Sequence, residues 1–231
     1  IIGAMAGVII GILDKTGLGQ ALTLILAAIG ENNLWLLLIL TAIISILLGM
    51  GMPTSAIYLL LATMIAPSLI KLGVNPISAH LFVLYFGLMS MITPPVAIAA
   101  FAAASLAGAK PMETGMTAVR LGWIAYIIPF VFVLSPNLLM QGEAVQVLTA
   151  LVLACIGVWI ASCGFIGYLF RPIGAAFRLL FVAAGLALLV PGDAFTYGVA
   201  INVTGGILAF LLIGREYMAR RNGAVASPIQ S

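Results

Sequence analysis

Two short clusters interrupt an otherwise apolar chain, and both carry residue types that can hold ions. The first is Gly49-Met50-Gly51-Met52-Pro53-Thr54; the second is Thr93-Pro94-Pro95-Val96, with Ser90 just ahead of it. Proline lacks the N–H that a helix needs, and glycine adopts backbone angles that other residues avoid, so both clusters stop helices. A helix that stops in an apolar setting leaves carbonyls that can replace the water shell of a small cation. The helix that restarts presents N–H groups to an anion. Gly49 and Gly51 allow close approach and unusual dihedrals, and Thr54 offers a hydroxyl at the start of the second arm. Ser90 and Thr93 add hydroxyls, while Pro94 and Pro95 fix carbonyls in place. Together the clusters have the parts for a cation and a carboxylate.

The remaining polar residues suggest less. His80 is the sole histidine and has no acid or second histidine beside it in sequence, which favours a packed or interfacial role over proton transfer. Lys71, Lys110 and Arg120 could draw an anion to a cytoplasmic mouth, but anchoring at the membrane interface explains them equally well. Cys155 and Cys163 share one apolar stretch and read as two buried thiols, not a disulfide or metal site. The sequence holds no paired carboxylates in an apolar span, no His-x-x-x-His and no Gly-Lys-Ser/Thr loop, so catalysis and a resident cofactor are not expected.

The elements that position the clusters follow from composition. Hydrophobic residues make up 64% of the 231 and charged residues 6%, against about a quarter charged in a soluble domain. Uncharged stretches run from Asn32 to Ile70, Leu72 to Ala109 and Leu121 to Gly142, each long enough to enter or cross a bilayer. The expected fold is an all-α, polytopic membrane bundle surrounded by lipid. The net charge of +3 comes from basic residues scattered singly, which read as topology signals and not as a nucleic-acid surface.

The chain opens on Ile1 without an initiator Met, basic leader or cleavage site, and its first apolar run, to Leu13, is too short to span. It reads as the C-terminal piece of a longer protein. After Asp14-Lys15-Thr16-Gly17, the segment Leu18 to Ile29 would form a helix of about 18 Å, closed by Gly30-Glu31-Asn32-Asn33. Leu34 to Ile70 is too long for one crossing, and two arms of about sixteen residues turning at residues 49–54 would make a re-entrant hairpin. Ser78 to Leu106 would cross once as a helix broken at residues 93–96. The opposite assignment, with the first segment crossing and the second re-entrant, has the same parity.

Three or four plainer spans are expected after these: Leu121 to Leu139, Val145 to Phe170, Ala175 to Val190 and Tyr197 to Ile213. Their loops alternate in charge, with Lys110 and Arg120, then Glu143, Arg171 and Arg178, Asp193, and finally Arg215, Arg220 and Arg221. Basic loops face the cytoplasm, which puts the C-terminus there. The tail from residue 215 is expected to be cytoplasmic and, from Asn222 to Ser231, disordered.

Gly49-Met50-Gly51-Met52-Pro53-Thr54 followed by Ile92-Thr93-Pro94-Pro95-Val96 resembles the large membrane subunit of tripartite ATP-independent periplasmic (TRAP) transporters, over about Thr16 to Pro136. The Gly-Met-Gly-Met-Pro-Thr form is most similar to fused permeases that work with TAXI-type binding proteins. The resemblance implies that residues 1–142 are the C-terminal half of the permease domain, 143–214 an additional C-terminal transmembrane extension and 215–231 the tail. It also implies an elevator-type importer in a bacterial or archaeal inner membrane, with a periplasmic protein delivering an organic acid and an N-terminal half supplying the other inverted repeat. The second sodium site of the family would fall on Gly49, Ser90, Thr93 and Val96. Gly51, Thr54, Pro94 and Pro95 become the candidates for substrate contact.

Many relatives carry glycine at the positions of Ser90 and Ala97, and Asp at that of Pro53. The missing Asp leaves proton coupling as an alternative to sodium. A non-transporting scaffold whose breaks serve only helix packing is the other alternative. An intramembrane enzyme ranks last, because His80 is its only candidate residue at depth.

Overall fold

The computed structural model describes residues 4, 7–8, 11–12, 15–30, 33–193 and 195–225, the side chains of 27 and 220–225 excepted. Leu13, Asp14, Glu31 and Asn32, on which some sequence expectations fell, lie outside the described residues, as does the tail from 226. The helices are α1 (Leu18–Gly30), α2 (Leu34–Gly49), α3 (Thr54–Met64), α4 (Ala66–Lys71), α5 (Pro76–Met89), α6 (Ile98–Ala107), α7 (Pro111–Leu121), α8 (Ile124–Leu134), α9 (Ala144–Ile166), α10 (Ala175–Leu189) and α11 (Gly198–Val225), with a 3₁₀ turn at Pro136–Leu139. Among the described residues, four helical segments are long and apolar enough to cross a membrane: Thr54–Lys71, Pro111–Leu134, Ala144–Ile166 and Gly198–Ala219. The chain divides into two compact units, Ile1–Pro136 and Asn137–Ser231.

In the first unit, asparagines start the helices that lead to both breaks. The Asn33 side chain accepts the Leu36 N–H at 3.1 Å, and Asn75 accepts those of Ile77 and Ser78 at 2.9 and 3.4 Å, so each satisfies first-turn donors. The core joins Leu37 and Leu38 of α2, Ile57 and Leu61 of α3, and Phe82, Val83 and Phe86 of α5. Phe130 of α8 meets Phe82 and Phe86 edge-on, with centroids 5.3 and 5.6 Å away, which fixes α8 against α5.

Prolines decide where side-chain hydroxyls are spent. A helical carbonyl waits for the N–H four residues on, and for Phe132 that residue is Pro136, which has none. The Ser78 hydroxyl fills the gap, donating to the Phe132 carbonyl at 2.8 Å. Pro67 likewise upsets the chain after α3: the Ser68 N–H turns to the Ile65 carbonyl, and the released Met64 carbonyl accepts the Thr23 hydroxyl at 2.9 Å. The expected second arm of about sixteen residues is therefore two helices, α3 and α4, meeting at Ile65.

In the second unit, small residues let backbones touch. A Cβ on Gly157 would lie 2.8 Å from the Gly185 carbonyl oxygen, and one on Gly185 would lie 2.5 Å from the Ala161 nitrogen; this is the small-residue packing of membrane helices. Arg178 donates to the carbonyls of Gly164 and Phe165 at 3.1 and 3.0 Å, capping the end of α9. Glu216, 2% exposed, accepts from Arg171 at 2.6 Å and Arg215 at 2.8 Å. That hydrogen bond holds the Arg171 guanidinium above its ordinary pKa, and the Arg215 guanidinium also lies 3.6 Å from the Phe177 ring centre.

Several sequence expectations change here. The span expected at Leu121–Leu139 begins earlier, because Pro111 opens a helix at its first turn, and ends at Leu134, before Ser135 and Pro136. The one expected at Ala175–Val190 is a helix of 15 residues, about 22 Å long, shorter than a bilayer core needs. Cys155 is exposed on α9, not buried, whereas Cys163 is buried; both are free thiols. The last helix continues to Val225, so residues 222–225 of the expected tail are helical, and the rest of the tail lies outside the described residues. Leu24, Leu106, Leu179 and Phe210 are among the large apolar side chains left facing outward, as lipid contact requires.

Candidate functional site

The first break begins where α2 ends at Gly49. Met50 turns extended (φ −65°, ψ 125°), and Gly51 follows with φ 82°, a left-handed conformation that favours glycine. Pro53, also extended, is the cap residue of α3. Thr54 opens α3, at the start of the second arm as expected; it is exposed, and the helix start has no side-chain cap bond.

The second break follows from two missing donors. In a continuous helix the N–H groups of residues 94 and 95 would bond the carbonyls of Ser90 and Met91, but Pro94 and Pro95 have none. Ala99 N–H takes the Met91 carbonyl at 3.0 Å, folding the start of α6 back on the end of α5. The Ser90 carbonyl receives no backbone donor among the described residues. The reversal passes through Ala97, with φ 33° and ψ 48° and no exposed surface; here a side chain stands in the left-handed region, at a cost of about 1–2 kcal/mol.

That cost makes Ala97 an informative position. Ala97→Gly relieves the dihedral but loses a buried methyl, about 0.8 kcal/mol, and adds chain entropy to the unfolded state of about 0.5–1 kcal/mol. We expect its thermal stability in detergent to stay within ~0.5 kcal/mol of the parent. Ala97→Val, branched at a positive φ, is expected to lose ~2 kcal/mol or more.

The two breaks meet. A Cβ on Gly49 would stand 2.7 Å from the Gly87 carbonyl oxygen, 2.9 Å from Ser90 Oγ and 3.2 Å from Ser90 Cβ. Gly87 in turn leaves no room on its other side: a Cβ there would lie 2.5 Å from Ile57 Cγ2 and 2.7 Å from Leu61 Cδ1. The connection between α2 and α3 therefore sits at the C-terminal end of α5, with glycine making both approaches possible. Ser90, 2% exposed, donates to the Gly87 carbonyl at 2.6 Å.

Thr93 lies further into the second break. Its hydroxyl donates to the Met89 carbonyl at 2.5 Å and lies 2.8 Å from the Tyr126 hydroxyl on α8. Pro94 packs towards α7, where a Cβ on Gly115 would be 3.0 Å from its Cγ. Val96 is half-buried, whereas Pro95, Gly51 and Thr54 are exposed.

Of the sequence candidates, the structure thus joins Gly49 to Ser90 directly and places Thr93, Pro94, Pro95 and Val96 on the same break as Ser90. Gly51 and Thr54 stand on the exposed side of the first break. Gly87, Gly115 and Tyr126 were not legible from the two motifs. The signal for Gly87 was its place two turns ahead of the Pro-Pro pair; that for Tyr126 was a hydroxyl in an otherwise apolar span. His80 is paired with Tyr58, 3.2 Å from Nδ1 to the phenol oxygen. Among the described residues no group of His, Cys, Asp and Glu side chains could hold a metal ion.

Comparison with known families matches residues 1–147 to the model described as "Tripartite ATP-independent periplasmic transporter, DctM component". Comparison with curated proteins and with solved structures returns no match.

Proposed function

This chain belongs to the family of DctM components of tripartite ATP-independent periplasmic transporters, and from that premise we propose that it imports an organic acid using a sodium gradient. The family membership makes it a multi-pass permease of the inner membrane, not an enzyme, working with a periplasmic binding protein. The finer reading is ours. Sodium is held by carbonyls and hydroxyls of Gly49, Ser90, Thr93 and Val96, and the carboxylate substrate meets the outer faces of the breaks at Gly51, Thr54, Pro94 and Pro95. In this reading α2 and α3 with α4 form the re-entrant hairpin, α5 and α6 form the broken crossing helix, and an N-terminal half supplies the other repeat. The Gly-Met-Gly-Met-Pro-Thr motif favours a TAXI-type binding protein, and the basic residues around α11 favour a cytoplasmic C-terminus.

One observation carries the proposal. Gly49 of the first break lies against Ser90 Oγ and the Gly87 carbonyl oxygen at the second, so the end of one helix packs on hydroxyl and carbonyl oxygens at the end of another. Irregular backbone at membrane depth is tolerated where it lines protein or a polar cavity. Neither residues 49–54 nor residues 87–97 contain a side chain that titrates near neutral pH, which favours a metal cation over a proton as the coupled ion.

The test is uptake into proteoliposomes containing the complete permease and its binding protein, with a panel of radiolabelled organic acids. Uptake is expected under an inward sodium gradient and not under a proton gradient alone. Proton-driven uptake indifferent to sodium would replace the coupling ion, and an assembled complex that moves no substrate under either gradient would favour the scaffold.

A further inference from the structure

Proton accounting at the second break assigns a role to a residue outside the motif. A threonine hydroxyl has one proton and two lone pairs. Thr93 Oγ1 lies 2.5 Å from the Met89 carbonyl oxygen, which can only accept, so the Thr93 proton belongs to that bond. The Tyr126 hydroxyl, 2.8 Å from the same Oγ1, must then be the donor in its bond to Thr93. One Thr93 lone pair is used by Tyr126, and one is left.

Both partners of Thr93 are held firmly. The Met89 carbonyl also accepts the N–H groups of Ile92 and Thr93 at 3.1 and 2.9 Å. Tyr126 stands on the first turn of α8, where glycines bring the α7–α8 segment against the break. A Cβ on Gly122 would lie 3.1 Å from Ile92 Cδ1, and one on Gly115 would lie 3.0 Å from Pro94 Cγ. The Thr93 hydroxyl is thereby kept from turning its proton towards an approaching cation, which would repel it.

We propose that Tyr126 is a positioning residue for the coupling-ion site: its phenol donates to Thr93 and holds that hydroxyl with a lone pair free for the cation. The inference rests on the reading of Thr93 as a ligand given above. Tyr126 touches the ion only through Thr93, so its contribution vanishes when the Thr93 hydroxyl is absent.

The experiment is direct binding of radioactive sodium, added as the chloride without substrate, to the purified complete permease. Parent, Tyr126→Phe, Thr93→Val and the double variant are compared, with melting temperature recorded for each. Thr93→Val is expected to raise the half-saturating sodium concentration at least about tenfold, and Tyr126→Phe about three- to tenfold, the effect of one hydrogen bond. The double variant should bind no more weakly than Thr93→Val alone. Parent-like binding by Tyr126→Phe beside a weakened Thr93→Val overturns the role of Tyr126 and leaves the ligand reading standing. Parent-like binding by Thr93→Val overturns both. A double variant weakened by the full product of the two single effects shows Tyr126 acting elsewhere and also overturns the proposal. Tyr126→p-aminophenylalanine keeps a donor and is expected to bind within about twofold of the parent; if it binds as weakly as Tyr126→Phe, donation to Thr93 is not the cause.

Discussion

Gly49→Ala is expected to reduce sodium-driven uptake by about 100-fold, the scale on which a displacement of about 1 Å disrupts an aligned site. The added methyl would start 2.7 Å from the Gly87 carbonyl oxygen, and a backbone oxygen cannot rotate away as a side chain can. Either α2 moves off α5 or α5 moves with it onto Ile57 and Leu61, which already crowd Gly87. Overpacking of this kind costs about 1–3 kcal/mol, so the protein should still assemble while the breaks separate. Gly51→Ala is the control. Its Cβ meets nothing within 4 Å, and its penalty is the dihedral at φ 82°, about 1–2 kcal/mol. Because Gly51 is also a proposed substrate contact, the comparison is made on sodium binding without substrate: normalised to assembled protein it should fall far more for Gly49→Ala than for Gly51→Ala, and equal losses would mean that the contact with Gly87 and Ser90 has no special part.

Thr93→Val is expected to raise the sodium concentration for half-maximal uptake by about 10- to 100-fold, as loss of one or two ion-ligand interactions would. Valine keeps the branched shape and removes the hydroxyl. The Met89 carbonyl keeps two backbone donors, so the helix end should survive and the deficit should appear in ion affinity before it appears in expression. Thr93→Ser, which restores the hydroxyl, should recover most of the loss. A Thr93→Val protein with unchanged sodium dependence would remove that hydroxyl from the ion's shell.

These two expectations rest on features of very different visibility. The breaks themselves are plain in the sequence, because Pro94 and Pro95 remove consecutive donors and Gly49 and Gly51 precede a proline-led restart at Pro53. Their convergence is not, since it depends on Gly87 lying one helix away from Gly49, and a glycine in an apolar run carries no mark of what approaches it. Ala97 shows the limit from the other side: the resemblance expects glycine there, and the positive φ explains why, yet alanine occupies the position.

Hydroxyl partners were similarly hidden. Ser78 and Thr23 answer carbonyls released by Pro136 and Pro67, a debt visible in sequence only once the helices are known. The start of α7 was obscured by Lys110 and Arg120, which read as loop charges, whereas Arg120 lies within an apolar 24-residue segment that opens at Pro111. Glu216 was masked by its basic neighbours. Read as part of a solvated tail, it is buried between Arg171 and Arg215, where an isolated charge would be costly and a paired one is tolerated.

The central claim is that residues from both breaks act on one cation. Radioactive sodium binding to the purified complete permease, compared for the parent, Gly49→Ala and Thr93→Val, tests it without assuming a substrate. The account predicts saturable binding in the parent that weakens at least about tenfold in both variants, although they lie on different helices. Parent-like sodium binding in both would contradict it.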